Sequence, residues 1–426
     1  MTDRKRPPIS KFGPLSVPPQ QTVALDNGVT VHFVNNGDQP IVRTSVMWNR
    51  GDAESTPHQA AIFVPQMLRE GTENMSGAEI AEYVDFEGAW LRSNATRHVT
   101  GIDALSLQDK ATDMIGLLSD IIHRPTFPAN AFEALRQKAA KNLELKMSRV
   151  SYVSQSALEY HLAGKSHPYI QQPTVDEINS ITLDDVKRTF ADGINGATVH
   201  IFAAGLISDD IRRAVLDFAR ALRPAGDHYT PATIVPLMPG EPCRRDIAMP
   251  DAIQSSISMG KPAIPRTHPD YIPLRIAVMA LGGYFGSRLM TNIREDKGLT
   301  YNIAAELQGT HEGGNIVINA QCDPSYVAQV IDETFAEISR LATEPMPREE
   351  LDALVQYLSS NLAATLDSPL SIADHYLNQL LVGTPADYFA RQFEVLAAIT
   401  PATICEMTRR YILGTDFSIF VAGPRQ

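Results

Sequence analysis

Near the start of the chain, apolar and polar positions alternate. Residues 22–34, TVALDNGVTVHFV, carry this alternation on both sides of Asp26, Asn27 and Gly28, residue types that tolerate φ > 0, and so predict a β-hairpin. Residues 42–51 predict a further strand. From about residue 59 the spacing becomes helical, over 59–68 and again over 77–87, ahead of a strand-like run from Trp90 to Leu107. Helical spacing returns over 112–122 and 129–147, with Pro125 and Pro128 punctuating the gap. Past His167 and Pro168, ITLDDVKRTF predicts one more helix and ATVHIFAAG one more strand.

The second half of the chain repeats this order. Residues 181–205 and 399–423 align without a gap at an offset of 218, and Phe127, Pro128, Phe132 and Leu135 match Met346, Pro347, Leu351 and Leu354 in pattern at 219. A period this long signals duplicated domains, because solenoid repeats run to only about 20–50 residues. Strands and helices come in runs rather than strict alternation. The expected fold class is therefore α+β: two homologous domains, each a mostly antiparallel or mixed sheet with helices packed on one face. The expected boundaries are an extended arm over 1–20, domains over 21–222 and 243–426, and a proline-rich linker over 223–242. Two such domains can close face to face like a shell.

The candidate chemistry sits in LGGYFGSRLMTNIREDKGLTYNIAAEL, residues 281–307. The pattern predicts the end of an apolar helix, a break at Gly282 and Gly283, a second short helix over 287–296, a stop at Gly298 and a strand from Thr300. Arg294 falls in the last helical turn and Tyr301 just across the Gly298 turn. Together they offer a fork of fixed donors and one rotatable hydroxyl, suited to a peptide carbonyl or carboxylate. The alternative is a helix-capping arginine and a half-buried strand tyrosine. Gly282, Gly283 and Gly286 leave backbone bare for the close approach of a peptide, or else simply make a tight turn.

Composition narrows the classes of function. With 426 residues, 44% hydrophobic and 20% charged, no part of the chain needs to be disordered on composition grounds. The net charge of −12 would repel nucleic acid and anionic membrane, so neither is expected as a partner. Cys243, Cys322 and Cys405 are widely spaced and form no CxxC, as expected of core residues in a reducing compartment. The opening segment is basic but has no apolar run behind it, and no window holds the roughly 18 apolar residues of a membrane span. The expectation is a cytoplasmic protein.

The duplicated plan, and above all SRLMTNIREDKGLTY, resembles the pitrilysin and mitochondrial-processing-peptidase family of inverted-motif zinc peptidases, in its small two-domain branch. The resemblance covers residues 22–423. It implies a clamshell in which zinc sits on an HxxEH helix in one half, while an arginine and a tyrosine seven residues apart hold the substrate. Arg294 and Tyr301 match that pair residue for residue. The zinc half of the pattern is degenerate: Ile62, Pro65 and Gln66 stand where the first histidine, the glutamate and the second histidine belong, and the later glutamate ligand falls at Leu143, one short of Glu144. Ile62 has no lone pair, Pro65 no carboxylate, and Gln66 is a poor zinc ligand. None of the eleven histidines has another at i+3 or i+4 to replace them. The resemblance thus implies a subunit that binds no cofactor itself and supplies Arg294 and Tyr301 to a homologous, zinc-bearing HxxEH partner for peptide hydrolysis. Its alternative is an inactive scaffold subunit, like the core proteins of respiratory complexes.

Overall fold

The computed structural model describes residues 15–164, 167, 172–196, 198–222, 235–310 and 313–424. Its first half runs β1 (Gln21–Ala24), β2 (Thr30–Asn35), β3 (Ile41–Trp48), α1 (Ala60–Met67), α2 (Gly77–Phe86), β4 (Trp90–Ala95), β5 (Thr100–Leu107), α3 (Ala111–His123), α4 (Ala129–Met147), α5 (Val150–Ala163), α6 (Val175–Ser180), α7 (Leu183–Gly196), β6 (Val199–Gly205) and α8 (Asp209–Ala221). The second runs β7 (Arg244–Ala248), β8 (Ser255–Ala263), α9 (Tyr271–Val278), π-helical turns at Met279–Gly283 and Met290–Asp296, β9 (Thr300–Gly309), β10 (Gly314–Cys322), α10 (Val327–Thr343), α11 (Arg348–Ala364), α12 (Pro369–Val382), α13 (Tyr388–Ala398), α14 (Pro401–Met407) and β11 (Ser418–Gly423).

Local chemistry sets these elements where the pattern predicts them. Gly28 takes φ +82 in the β1–β2 turn, while Asn27 reaches across to donate to the carbonyls of Ala219 (2.9 Å) and Leu222 (2.7 Å), closing the end of α8. Ser76 and Glu79 form a reciprocal capping box at the start of α2. The repeat is visible in the caps themselves. Thr182 and Thr400 accept from the amides of Asp185 (3.2 Å) and Thr403 (3.1 Å), and Pro128 and Pro347 are the N-caps of α4 and α11.

The strand orders are β1-β2-β6-β3-β5-β4 and β7-β11-β8-β10-β9. With β1 set aside the two orders are the same, and in each the late strand inserts parallel to the first strand and antiparallel to the next. This is the duplicated α+β fold that the offset of 218 predicts. Each sheet packs one face against the helices of its own half. Phe33, Val46, Trp48, Ile102 and Ile201 build the first core, and Ile257, Met259, Ile316, Ile318 and Val421 the second.

The opposite faces are covered by an exchange that the pattern did not predict. α5 of the first half lies on the second sheet, seating Leu158 and Leu162 on Val317 and Phe420. Its counterpart α12 lies on the first sheet, seating Ile372 and Ala373 on Val34, Phe202 and Ala204. Each sheet is thus buried on both faces at its centre, which is why β6 is buried at every position and reads as a continuous apolar run. Most of the expected linker, 223–234, lies outside the described residues. The rest of it is anchored to α5, with Met238 and Gly240 donating to the carbonyls of Ala163 and His161 (both 3.0 Å). The arm is described from residue 15, and the Pro18 carbonyl accepts from the Tyr376 hydroxyl at 2.8 Å.

Candidate functional site

The degenerate metal register converges in space. α1 is preceded by Gln59 at its N-cap, whose backbone N–H and side-chain Nε2 (2.8 Å) both donate to the Asp52 carboxylate. Burial raises the Asp52 pKa, and the Gln59 amide opposes that shift. Ile62 and Gln66, one turn apart, face α4 across a cleft of about 340 Å³ that Leu143 also lines. Pro65 turns into the core, and its carbonyl accepts from Ser93 of β4 at 2.7 Å. As a proline it gives the helix no N–H at that turn.

The chemistry of this cleft does not fit zinc. Gln66 folds back to donate from Nε2 to the Ile62 carbonyl (3.0 Å), leaving one amide oxygen as the only donor atom on α1 that faces the cleft in that register. On α4 the polar lining groups are Lys138, Asn142 and Lys146, and two ammonium groups repel a dication. Glu144 is directed elsewhere and pairs with Lys141 at 2.8 Å. His58 is exposed, with Nδ1 beside the Asp52 carbonyl, and serves the loop. Among the described residues no group of three or more His, Cys, Asp or Glu side chains could hold a metal ion. The three cysteines are free.

Arg294 and Tyr301 sit on a braced platform. Arg288 makes a two-armed contact with Glu350 (3.0 and 3.2 Å), Asn292 donates to Glu333 and Glu337, and Lys297 pairs with Glu333. Gly298 takes φ +64, and the Leu299 amide closes on the Ile293 carbonyl at 2.9 Å. The helix ends where the sequence predicts, but its Met290–Asp296 part is π-helical, a widening of the turn that recurs at functional sites.

Tyr301 is the extra residue of a β-bulge. Thr300 pairs with Cys322 and Asn302 with Gln321, which leaves no residue opposite Tyr301. Its side chain is 86% exposed. The Arg294 guanidinium stacks 4.7 Å from the Phe285 ring centroid and, among the described residues, makes no ion pair or hydrogen bond, with Tyr301 or with anything else. Tyr301 is thus not the half-buried strand tyrosine of the alternative reading.

Gly282 and Gly283 have a packing reason for being glycine. A Cβ on Gly282 would stand 2.7 Å from the backbone N of Ala305, and one on Gly283 would strike the Met279 sulfur. A Cβ on Gly286 would crowd the Tyr284 ring. Gly282 and Gly283 also line an open cleft of about 890 Å³ between α9, β9 and α11–α13. The duplication relates this cleft to the degenerate one. Ala139, Asn142, Leu143 and Lys146 correspond at offset 219 to Leu358, Asn361, Leu362 and Thr365, which line the larger cleft.

One buried polar pair escaped the sequence reading. His32 of β2 and His200 of β6 meet on the α12 side of the first sheet with Nε2 and Nδ1 3.1 Å apart, and His32 stacks on Phe202. Burial pushes both imidazoles down to about 4, with the charge of His200 adding to the effect on His32. A search for helical i, i+4 histidines could not find two residues brought together by parallel strands. The signal that could have found them was the repeated Val-His in two strand-like runs.

Residues 32–164 match the family described as insulinase (peptidase family M16), and residues 180–358 match the peptidase M16 inactive domain. The chain belongs to the M16 peptidase family. With Ile62, Pro65 and Gln66 in its metal register, it is an inactive M16 member. Among its M16 relatives is the uncharacterized zinc protease YmxG of Bacillus subtilis, 24% identical over 84% of this chain and 87% of that one. The non-peptidase homolog YmxG of Helicobacter pylori is 25% identical over 65% of this chain and 64% of its own. The structure of a peptidase M16 inactive domain from Pseudomonas fluorescens has the same fold, with TM-score 0.86 at 22% identity, covering 96% of this chain and 98% of that one.

Proposed function

We propose that this chain is the zinc-less subunit of a heterodimeric M16 metallopeptidase and presents Arg294 and Tyr301 to the active site of an HxxEH-bearing partner. The observation that carries the reading is the pair itself. Arg294 and Tyr301 keep the family spacing, stand on a braced helix and a bulge, and take no part in holding the fold. A scaffold has no use for an 86%-exposed tyrosine beside an arginine that has no ionic partner among the described residues. The domain boundaries that go with this reading are 21–222 and 243–426, joined by 223–242.

In the assembled enzyme the partner's zinc would polarise the scissile carbonyl and lower the pKa of its bound water. This chain's contribution is position. The Arg294 fork and the Tyr301 hydroxyl hydrogen-bond the substrate backbone beside the scissile bond and keep it extended. Bare backbone at Gly282 and Gly283 lets a peptide lie close to the turn.

The test is reconstitution with a homologous subunit that has an intact HxxEH. The expected result is a stable one-to-one complex that hydrolyses peptides, with no hydrolysis by this chain alone. A complex that forms but is no more active than the HxxEH subunit by itself would point to the scaffold role instead.

A further inference from the structure

The cleft of about 890 Å³ in the second half is within the range of ligand clefts, roughly 300–1,000 Å³, and its charges are arranged in an unusual way. Arg266 and Arg275 line one end of it together with Tyr388 and Gln392. Arg275 donates to the Gln392 carbonyl oxygen at 3.1 Å. Arg266 lies 5.9 Å from the Tyr271 ring centroid, and its Nε is buried without a hydrogen-bond partner. A third arginine, Arg391, follows Tyr388 on α13, and all three are near enough to the phenol to oppose the rise in pKa that burial causes there. Among the described residues none of the three forms an ion pair. In a chain with net charge −12, three arginines around one half-buried phenol, none of them ion-paired among the described residues, form a local positive field.

The rest of the lining defines the occupant. Ile272, Ile276 and Phe389 are buried and apolar, while the side-chain amides of Asn361 and Asn378 have no hydrogen-bond partners among the described residues. Two carboxylates also line the cleft. Asp374 is held by Arg43, and Glu306 is reached by Gln308 at 3.3 Å. By the duplication this is the counterpart of the cleft in which the first half carries its metal register.

We propose that the cleft seats a peptide by its carboxylate, with Arg266 and Arg275 holding the anion beside Tyr388, Arg391 adding to the positive field from the exposed side of α13, and Asn361 and Asn378 meeting the peptide backbone. Arginine suits this because its planar fork grips both oxygens of a carboxylate. Neither Arg294 nor Tyr301 lines this cleft, and the proposal does not depend on a partner subunit.

Calorimetric titration of the full chain tests it, using an N-acetylated pentapeptide ending in leucine as the free acid, as the C-terminal amide, and as an amide with an internal glutamate. The free acid is expected to bind saturably and the plain amide to bind about tenfold or more weakly, as for loss of a charge-assisted hydrogen bond. Binding of the glutamate peptide at the strength of the free acid would assign the site to side-chain carboxylates; weak binding would assign it to chain ends. Either supports the proposal. Arg266→Gln and Arg275→Gln should each weaken the free acid by about tenfold, and Arg213→Gln, on the exposed surface of α8, should leave it unchanged. Arg391→Gln, at an exposed position, serves as the variant if Arg266→Gln does not fold. Equal binding of acid and plain amide, no saturable binding of either acid, or full affinity in the arginine variants would overturn the proposal. So would loss of binding in Arg213→Gln.

Discussion

At the scale of single residues, the functional pair and the fold make separate demands. Tyr301 is at a bulge and Arg294, among the described residues, stacks on the Phe285 ring without an ion pair, so neither holds a core. Arg294→Ala and Tyr301→Phe should therefore each change stability by less than about 1 kcal/mol, the range of an exposed cation–π contact, as read by urea unfolding. The His32–His200 pair is the opposite case. Both imidazoles are held neutral with pKa values of about 4, whereas in the unfolded chain they return to about 6.5. The unfolded state then binds protons that the folded state refuses. Stability is full above pH 6.5 and falls as pH drops toward 4, by on the order of 1.4 kcal/mol per pKa unit for each ring. Unfolding midpoints that stay level from pH 7 to pH 5 would contradict this. The seven-residue spacing of Arg294 and Tyr301 and the misfit of Ile62, Pro65 and Gln66 were legible in the sequence because they are local. The bulge at Tyr301 and the histidine pair were not, because each depends on which strand lies opposite.

At the scale of elements, most helices and strands were legible from period and punctuation, and the exchange of α5 and α12 was not. α5 presents only a narrow stripe, Ser154, Leu158 and Leu162, and part of its contact is polar: the Ser154 hydroxyl meets those of Ser256 and Ser258, each at 2.9 Å. Nothing in such a stripe says which sheet it will cover. α8 carries a cleaner stripe, Ile211, Val215 and Phe218, and could have been read from spacing alone. Because α5 ties the first half to the second sheet, Leu158→Ala should cost about 2–5 kcal/mol and lower the unfolding of both halves together. Calorimetry that instead resolved two transitions, with only one of them shifted, would mean the halves fold independently. The metal register belongs to this scale too. With Pro65 in α1 and Lys138 and Lys146 across from it, the purified chain should carry no stoichiometric zinc by elemental analysis. One tightly held equivalent would show that the cleft finds donors other than those on α1 and α4.

At the scale of the whole molecule, two duplicated halves have kept one fold and diverged in chemistry. The first half holds Ile62, Pro65 and Gln66 beside the smaller cleft, and the second half carries Arg294 and Tyr301 as well as the larger cleft. Among the described residues no helix is long and apolar enough to cross a membrane. The central claim is that this chain completes a partner's site, and kcat/KM of the assembled heterodimer tests it most directly. Arg294→Ala and Tyr301→Phe should each lower kcat/KM by about 10²- to 10³-fold, roughly 2.7–4 kcal/mol, as for removal of one pre-organised donor. Arg294→Lys should not restore the rate, because a point charge cannot reproduce a planar fork. Assembled variants that retain the full wild-type kcat/KM would contradict the claim and leave the chain a scaffold.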